Sequence, residues 1–283
     1  MGWWIAAALA ALAGLAVFLA APGLRRRQDA KALGALPFAH RGLHGGTIPE
    51  NSLSAFERAA DAGYGIELDV RMTRDGHLAV FHDDSLLRLC GVDRALEEMT
   101  LEEARRLSLP GSGEKIPLLA EALAGIRGRT PLIIEMKSAP STRKKLPGAL
   151  EKAMRAYRGV WCVESFDPRM LLWFRRHAPG VLRGQLAFDP RRDPAENRRG
   201  VRYWLAARLL MNFLSRPDFI AYGHKTEGNA FFRMIRALFH PATAAWTVRS
   251  KADFENLKKR YDIQIFEAFI PDRPKPEKET GSS

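Results

Sequence analysis

Three short apolar runs carry side chains that could do acid–base and anion chemistry: AHRG (39–42), GIELDVRM with LAVFHDD (65–72 and 78–84), and LIIEMK (132–137). Each reads as a strand, and successive strand side chains point to opposite faces. Glu67 and Asp69 therefore share a face, as do Glu135 and Lys137. Charged groups on an otherwise apolar strand are costly to bury without charged or metal partners, so a site is the first expectation. Three converging carboxylates repel one another, and a divalent cation is the simplest remedy. Carboxylate oxygens are hard ligands that select Mg²⁺, Ca²⁺ or Mn²⁺, whereas zinc would be expected to recruit the histidines. Arg41 and Lys137 would suit an anionic phosphoryl group. His40 and His82 are then left to move protons as base and acid. The set points to phosphodiester cleavage rather than glycoside cleavage, which needs only a carboxylate pair.

These groups need a scaffold that gathers strand ends. Strands are predicted at 37–41, 65–72 with a partner at 77–82, 131–137, 160–166, 182–188, 218–224, 243–248 and 262–269. Helices are predicted near 51–62, 100–108, 117–127, 146–157, 168–177, 196–214, 228–238 and 251–260. With 77–82 counted as an extension of the second strand, the chain has eight β/α units, which at this length favour a TIM (β/α)8 barrel. No Gly-rich phosphate loop follows a strand, which counts against a nucleotide-binding sheet. Residues 83–116 exceed a simple crossover and read as a small insertion after the second strand, with Thr100 and Glu103 as a capping box.

Residues 3–24 form an apolar run of the length a membrane-spanning helix requires, and the first charges follow it at Arg25–Arg27. A signal peptide would carry basic residues ahead of the run, so a retained transmembrane anchor over 1–27 is expected. The positive-inside rule places the folded part in the cytoplasm. Residues 28–36 read as a linker and 275–283 as a disordered tail. All of the +12 net charge lies beyond the apolar run, a surface suited to anionic lipid. Nucleic acid is not expected, because the basic clusters lack interleaved stacking aromatics. The stretch 196–214 could lie on a membrane or pack as a barrel helix burying Leu205, Leu209 and Leu210. Cys90 and Cys162 provide no disulfide framework. Oligomeric state is not legible.

Taken in order, AHRG, PENS (49–52), IELDV, TRDG, VFHDD, IEMK, IPLLAEAL (116–123), ESF (164–166), WTV (246–248) and PDRP (271–274) resemble the glycerophosphodiester phosphodiesterase family over about 37–274. The resemblance implies a TIM barrel in which Glu67, Asp69 and Glu135 hold one Mg²⁺ or Ca²⁺ ion. It implies His40 and His82 as acid and base, and Arg41 and Lys137 as phosphate binders. Glu50 and Asn51 match the PEN motif in a supporting or metal-proximal role, and Trp246 matches an aromatic at the substrate entrance. The implied reaction hydrolyses glycerophosphodiesters to glycerol phosphate and an alcohol, through attack by the neighbouring glycerol hydroxyl. Departures fall at Cys90-Gly91, at Arg249 and in the last strand, IQIFEAFIPDRP, and they bear on the substrate. His44 reads as a loop histidine, and Glu164 and Glu267 as either pocket residues or partners of arginines. Two other functions are compatible with the anchor: hydrolysis of lysophospholipids, as by a lysophospholipase D, and a catalytically inactive lipid-binding barrel.

Overall fold

The computed structural model describes residues 2–192 and 200–272. Eight parallel strands close into a barrel: β1 (Phe38–Ala39), β2 (Gly65–Met72), β4 (Leu132–Met136), β5 (Trp161–Ser165), β6 (Leu182–Ala187), β7 (Phe219–Gly223), β8 (Ala242–Val248) and β9 (Ile263–Phe266). Closure comes from β1, which pairs with both β2 and β9. The predicted partner strand is β3 (Leu78–Val80), antiparallel to the end of β2. Parallel barrel strands are covered on both faces, and accordingly all eight residues of β2 are buried.

The two-residue alternation divides the barrel into layers. Ile66, Leu68, Val70, Ile134 and Met136 pack outward against helices, with Phe56, Ala59 and Leu146 in the same core. Phe38, Ile133, Cys162, Phe219, Ala244 and Ile265 fill the lower lumen. Inward positions nearer the strand ends are polar, and the register sets Asp69 beside Glu135 and Glu135 beside Glu164.

The insertion has its own small core of Phe81, Leu86, Leu96, Met99, Ala104 and Ile116, and the Thr100–Glu103 capping box is present. Buried Arg71 ties it to β2, its guanidinium bonding Glu97 Oε1 at 2.8 Å and His82 O at 2.8 Å.

Two expectations are corrected. Residues 28–36 are no extended linker: Arg27–Ala32 is a helix followed by a 3-10 turn at Leu33–Ala35, and Ala30 and Leu33 plug the foot of the lumen. Gly34 is required there, since a Cβ would sit 1.9 Å from Asp262 O. Among the described residues of the predicted 196–214 helix there are two short ones, Val201–Ala207 and Asn212–Ser215, broken where Leu209 takes a φ of 58°. Leu209 and Leu210 are buried, Leu205 packs on the core, and Val201 and Trp204 stay exposed. Arg198, Arg199 and the 275–283 tail lie outside the described residues.

Among the described residues one helix, Gly2–Ala20, is long and apolar enough to cross a membrane by length and composition. Its last turn is joined to the barrel. Asn212 Nδ2 donates to Ala20 O at 2.9 Å, and Arg216 Nη1 donates to Phe18 O at 2.9 Å and Ala21 O at 2.8 Å. These bonds occupy carbonyls that a helix C-terminus leaves unpaired. Gly23 N donates to Pro217 O, and Arg26 reaches Gly180 O. Pro217 and Gly180 lie just before β7 and β6, so the attachment is at the foot of the barrel, opposite the strand ends.

Candidate active site

His40 and Arg41 follow β1, where the chain turns sharply. Arg41 has a φ of 56° and Gly42 of 79°, a left-handed pair in which a Cβ on Gly42 would lie 2.8 Å from Ala55. The turn aims the Arg41 backbone N–H at Glu67 Oε2, 2.9 Å away. Asn51 is also left-handed, with a φ of 54°. Its side chain brackets Asp69, with Nδ2 donating to Oδ2 at 2.7 Å and Oδ1 accepting from Asp69 N at 3.3 Å.

Glu67, Asp69 and Glu135 are buried and can each present an oxygen within 4.8 Å of the others. Lys137 Nζ lies 2.9 Å from Asp69 Oδ1 and 2.7 Å from Glu135 Oε1. Burial drives the Glu67 carboxyl well above the usual range, helped by repulsion from Asp69, Glu135 and Glu164. Burial acts the same way on Asp69, but Lys137 and its other cationic neighbours hold it well below. A hard-oxygen set carrying more negative charge than Lys137 offsets fits a divalent cation. Glu50 stands beside this set, accepting from Arg41 Nη1 at 2.7 Å and from Arg88 Nη2 at 2.6 Å.

Both histidines carry a carboxylate on Nδ1. His40 Nδ1 is 3.0 Å from Glu267 Oε2, and Arg249 Nη2 donates to that same oxygen at 2.9 Å. His82 Nδ1 is 2.7 Å from Asp83 Oδ1, and Arg88 Nε donates to Asp83 Oδ2 at 2.6 Å. Each dyad leaves Nε2 as the remaining ring nitrogen, and that of His40 lies 4.0 Å from Glu67 Oε2. Burial lowers the His40 imidazole to about 4. Glu267 is pushed up by burial, yet its bond to His40 and the nearby cations hold it at about 2.

The mouth opens into a cavity of about 820 Å³ whose other wall is aromatic. Phe166, Phe188 and Trp246 meet edge to face, with centroids 5.6 to 5.9 Å apart. Among the described residues, Glu164 Oε2 and Trp246 Nε1 are buried without a hydrogen-bond partner, and both residues line the cavity.

The structure thus brings His40, Arg41, Glu67, His82, Glu135, Lys137 and Trp246 to one cavity, with Asp69 in the carboxylate cluster and Glu50 and Asn51 behind it. Sequence reasoning missed the Glu267–Arg249 pair on His40. No spacing signals a partner 227 positions away. The Asp83–Arg88 clamp was visible only as the first acid of VFHDD. Glu164 lines the cavity without an arginine, Glu267 serves His40 and Arg249 together, and His44 stands 3.9 Å from Glu267.

The His40 shift carries a stability prediction. Between about pH 4 and 6.5 the unfolded imidazole binds a proton that the folded one does not, so stability falls on acidification through that window. The loss is on the order of 3 kcal/mol. Thermal melts of His40→Ala should show a shallower decline than wild type between pH 6.5 and 4.5; parallel curves would refute the assignment.

A parallel α/β barrel with a buried carboxylate cluster and two histidines at its mouth defines a TIM-barrel protein built for anionic ligands. The chain matches the glycerophosphoryl diester phosphodiesterase family over residues 40–275 and belongs to that family. It is 35% identical over 163 residues to a glycerophosphodiester phosphodiesterase of Caldanaerobacter subterraneus subsp. tengcongensis, covering 53% of this chain and 66% of that one. It is 34% identical over 170 residues to one of Bacillus altitudinis, covering 56% and 68%. The matched stretch is thus about two thirds of each relative's length. A phosphodiesterase of Oleispira antarctica, solved with the product sn-glycerol-3-phosphate, shares the fold at a TM-score of 0.66 and 21% identity, over 82% of this chain and 93% of that one. A Thermotoga maritima glycerophosphodiester phosphodiesterase does so at 0.62 and 23%, over 82% and 93%.

Proposed function

We propose that this chain is a phosphoric diester hydrolase that cleaves glycerophosphodiesters to glycerol phosphate and an alcohol. The observation that carries the reading is the placement of two carboxylate-held histidines beside a buried acidic cluster, in a member of this family. Glu67, Asp69 and Glu135 would hold one Mg²⁺ or Ca²⁺ ion, which supplies Lewis-acid stabilisation of charge at phosphorus when bound. Arg41 and Lys137 would bind the phosphate oxygens, Glu50 and Asn51 would hold Arg41 and Asp69, and Trp246 would shape the entrance.

His40 is the base in this reading, because burial keeps its imidazole neutral and Glu267 leaves Nε2 to face the cluster. Nε2 takes the proton of the glycerol hydroxyl as that oxygen attacks phosphorus. The bond from phosphorus to the leaving alcohol breaks, and His82 Nε2 gives that alcohol a proton. Water then opens the cyclic phosphate with the two roles reversed, and the proton count closes. In Glu267→Gln the amide no longer complements the imidazolium, so kcat is expected to fall roughly tenfold with KM little changed. Equal losses in kcat and in folded fraction would make the pair structural only.

Lysophospholipid hydrolysis is the second reading, favoured by the wall of Phe166, Phe188 and Trp246, which would accept an acyl chain. An inactive lipid-binding barrel would be expected to lack one of the seven chemistry-bearing side chains, yet all are present and converge. Turnover by the full chain in detergent, on glycerophosphocholine and on lysophosphatidylcholine with and without Mg²⁺ or Ca²⁺, tests the three. No metal-dependent turnover of either would sink the enzymatic readings.

Gly2–Ala20 is proposed as a single-pass anchor within 1–27, with the barrel of 37–274 on the cytoplasmic side of Arg25–Arg27. A reporter fused after Ser283 should be active only in the cytoplasm, and activity of an exported fusion would reverse the topology.

A further inference from the structure

At the foot of the barrel, between the starts of β8 and β9, lies a second cavity of about 560 Å³. Its walls carry Lys31, Arg233, Arg236, Lys258, Lys259 and Arg260. Three of these have carboxylate partners: Lys31 is 3.3 Å from Asp262, Lys258 is 3.6 Å from Glu255, and Arg260 pairs with Glu227. Arg233, Arg236 and Lys259 have none among the described residues. Arg236 is held in place nonetheless, its guanidinium 5.1 Å from the Tyr261 ring and Nη2 donating to Arg260 O at 2.5 Å. An uncompensated, oriented cluster of cations around a cavity is an anion site.

Its position identifies the anion. Lys31 belongs to the Arg27–Ala32 helix, which begins seven residues after the apolar helix ends at Ala20, and Arg27 Nη1 donates to His240 O at 3.4 Å beside the cavity. Leu238 is exposed next to Ala237, which lines the cavity, so apolar and basic groups adjoin as they do at a bilayer interface. We infer that this cavity binds the phosphate-bearing headgroup of an anionic phospholipid in the membrane that Gly2–Ala20 enters. The inference rests on the anchor reading proposed above and is independent of the phosphodiesterase chemistry. A headgroup held there keeps the foot of the barrel on the bilayer and the mouth turned to water, which favours water-soluble glycerophosphodiesters over lysophospholipids.

Native mass spectrometry of the full chain in detergent, titrated with phosphatidylglycerol or phosphatidylcholine, tests the site. Phosphatidylglycerol is expected to bind at least roughly tenfold more tightly than phosphatidylcholine. Arg233→Gln/Arg236→Gln/Lys259→Gln should abolish that preference, the corresponding arginine-to-lysine and lysine-to-arginine exchanges should retain it, and Lys144→Gln/Lys152→Gln should leave it intact. Competition by millimolar inorganic phosphate as strong as that by the lipid would reassign the cavity to a free anion and overturn the proposal. So would unchanged preference in the triple variant, or a variant-sensitive affinity for single-stranded RNA exceeding that for lipid. Turnover of glycerophosphocholine should be the same in the triple variant, and His40→Ala should keep the lipid, which separates failure here from failure of the enzymatic reading.

Discussion

His40→Ala and His82→Ala are each expected to lower kcat on glycerophosphocholine by roughly two to four orders of magnitude, the range for loss of a positioned proton carrier. At about 1.4 kcal/mol per tenfold, that is about 3 to 5 kcal/mol of barrier. The two variants should not be equivalent otherwise. His82 lies at a half-exposed edge of the mouth, where its task is to protonate the departing alcohol. A substrate with an acidic leaving group, such as a p-nitrophenyl ester, needs little protonation and should recover most of the rate in His82→Ala. Recovery should be weak in His40→Ala, because the attacking hydroxyl still has to lose its proton. Equal rescue of both variants would remove the assignment of base to His40, and activity within tenfold of wild type in both would remove the acid–base reading.

The acidic cluster makes the second large prediction. Chelation should abolish turnover, and Mg²⁺ or Ca²⁺ should restore it. Binding to the folded state alone also stabilises it, by about 2.7 kcal/mol at a hundredfold excess over the dissociation constant. Glu67→Gln separates a metal ligand from a structural carboxylate. Glu67 is pushed up by burial and by its like-charged neighbours, so neutralising it relieves repulsion. The metal-free variant should melt at or above the wild-type temperature, while the cation concentration for half-maximal rate rises roughly tenfold to a hundredfold or more. The metal-induced rise in melting temperature should shrink with it. A metal-free variant less stable than wild type and unaltered in cation demand would make Glu67 a structural residue.

The foot of the barrel bears on the substrate. The apolar helix meets the chain beside Pro217 and Gly180, before the strands rather than at their ends. In the anchor reading proposed above, this attachment sets the barrel between the helix end and the mouth, an arrangement that would favour the water-soluble diester.

Much of this site is legible in single strands. Alternation with a period of two is a local property, so Glu67 with Asp69 and Glu135 with Lys137 could be set on one face from spacing alone. Eight such units and the ordered motifs were enough for the barrel, the carboxylate set and both histidines. What spacing could not show is whatever barrel closure creates. Closure puts β9 against β1, which delivers Glu267 to His40, the β8–β9 pairing adds Arg249, and the supposed linker becomes a plug because the lumen must be filled below the polar layer. The basic cavity arises the same way, from one short helix, the end of another and a turn that are far apart in the chain. Strand alternation is set by neighbouring residues, whereas these contacts depend on where closure places segments that share no local signal.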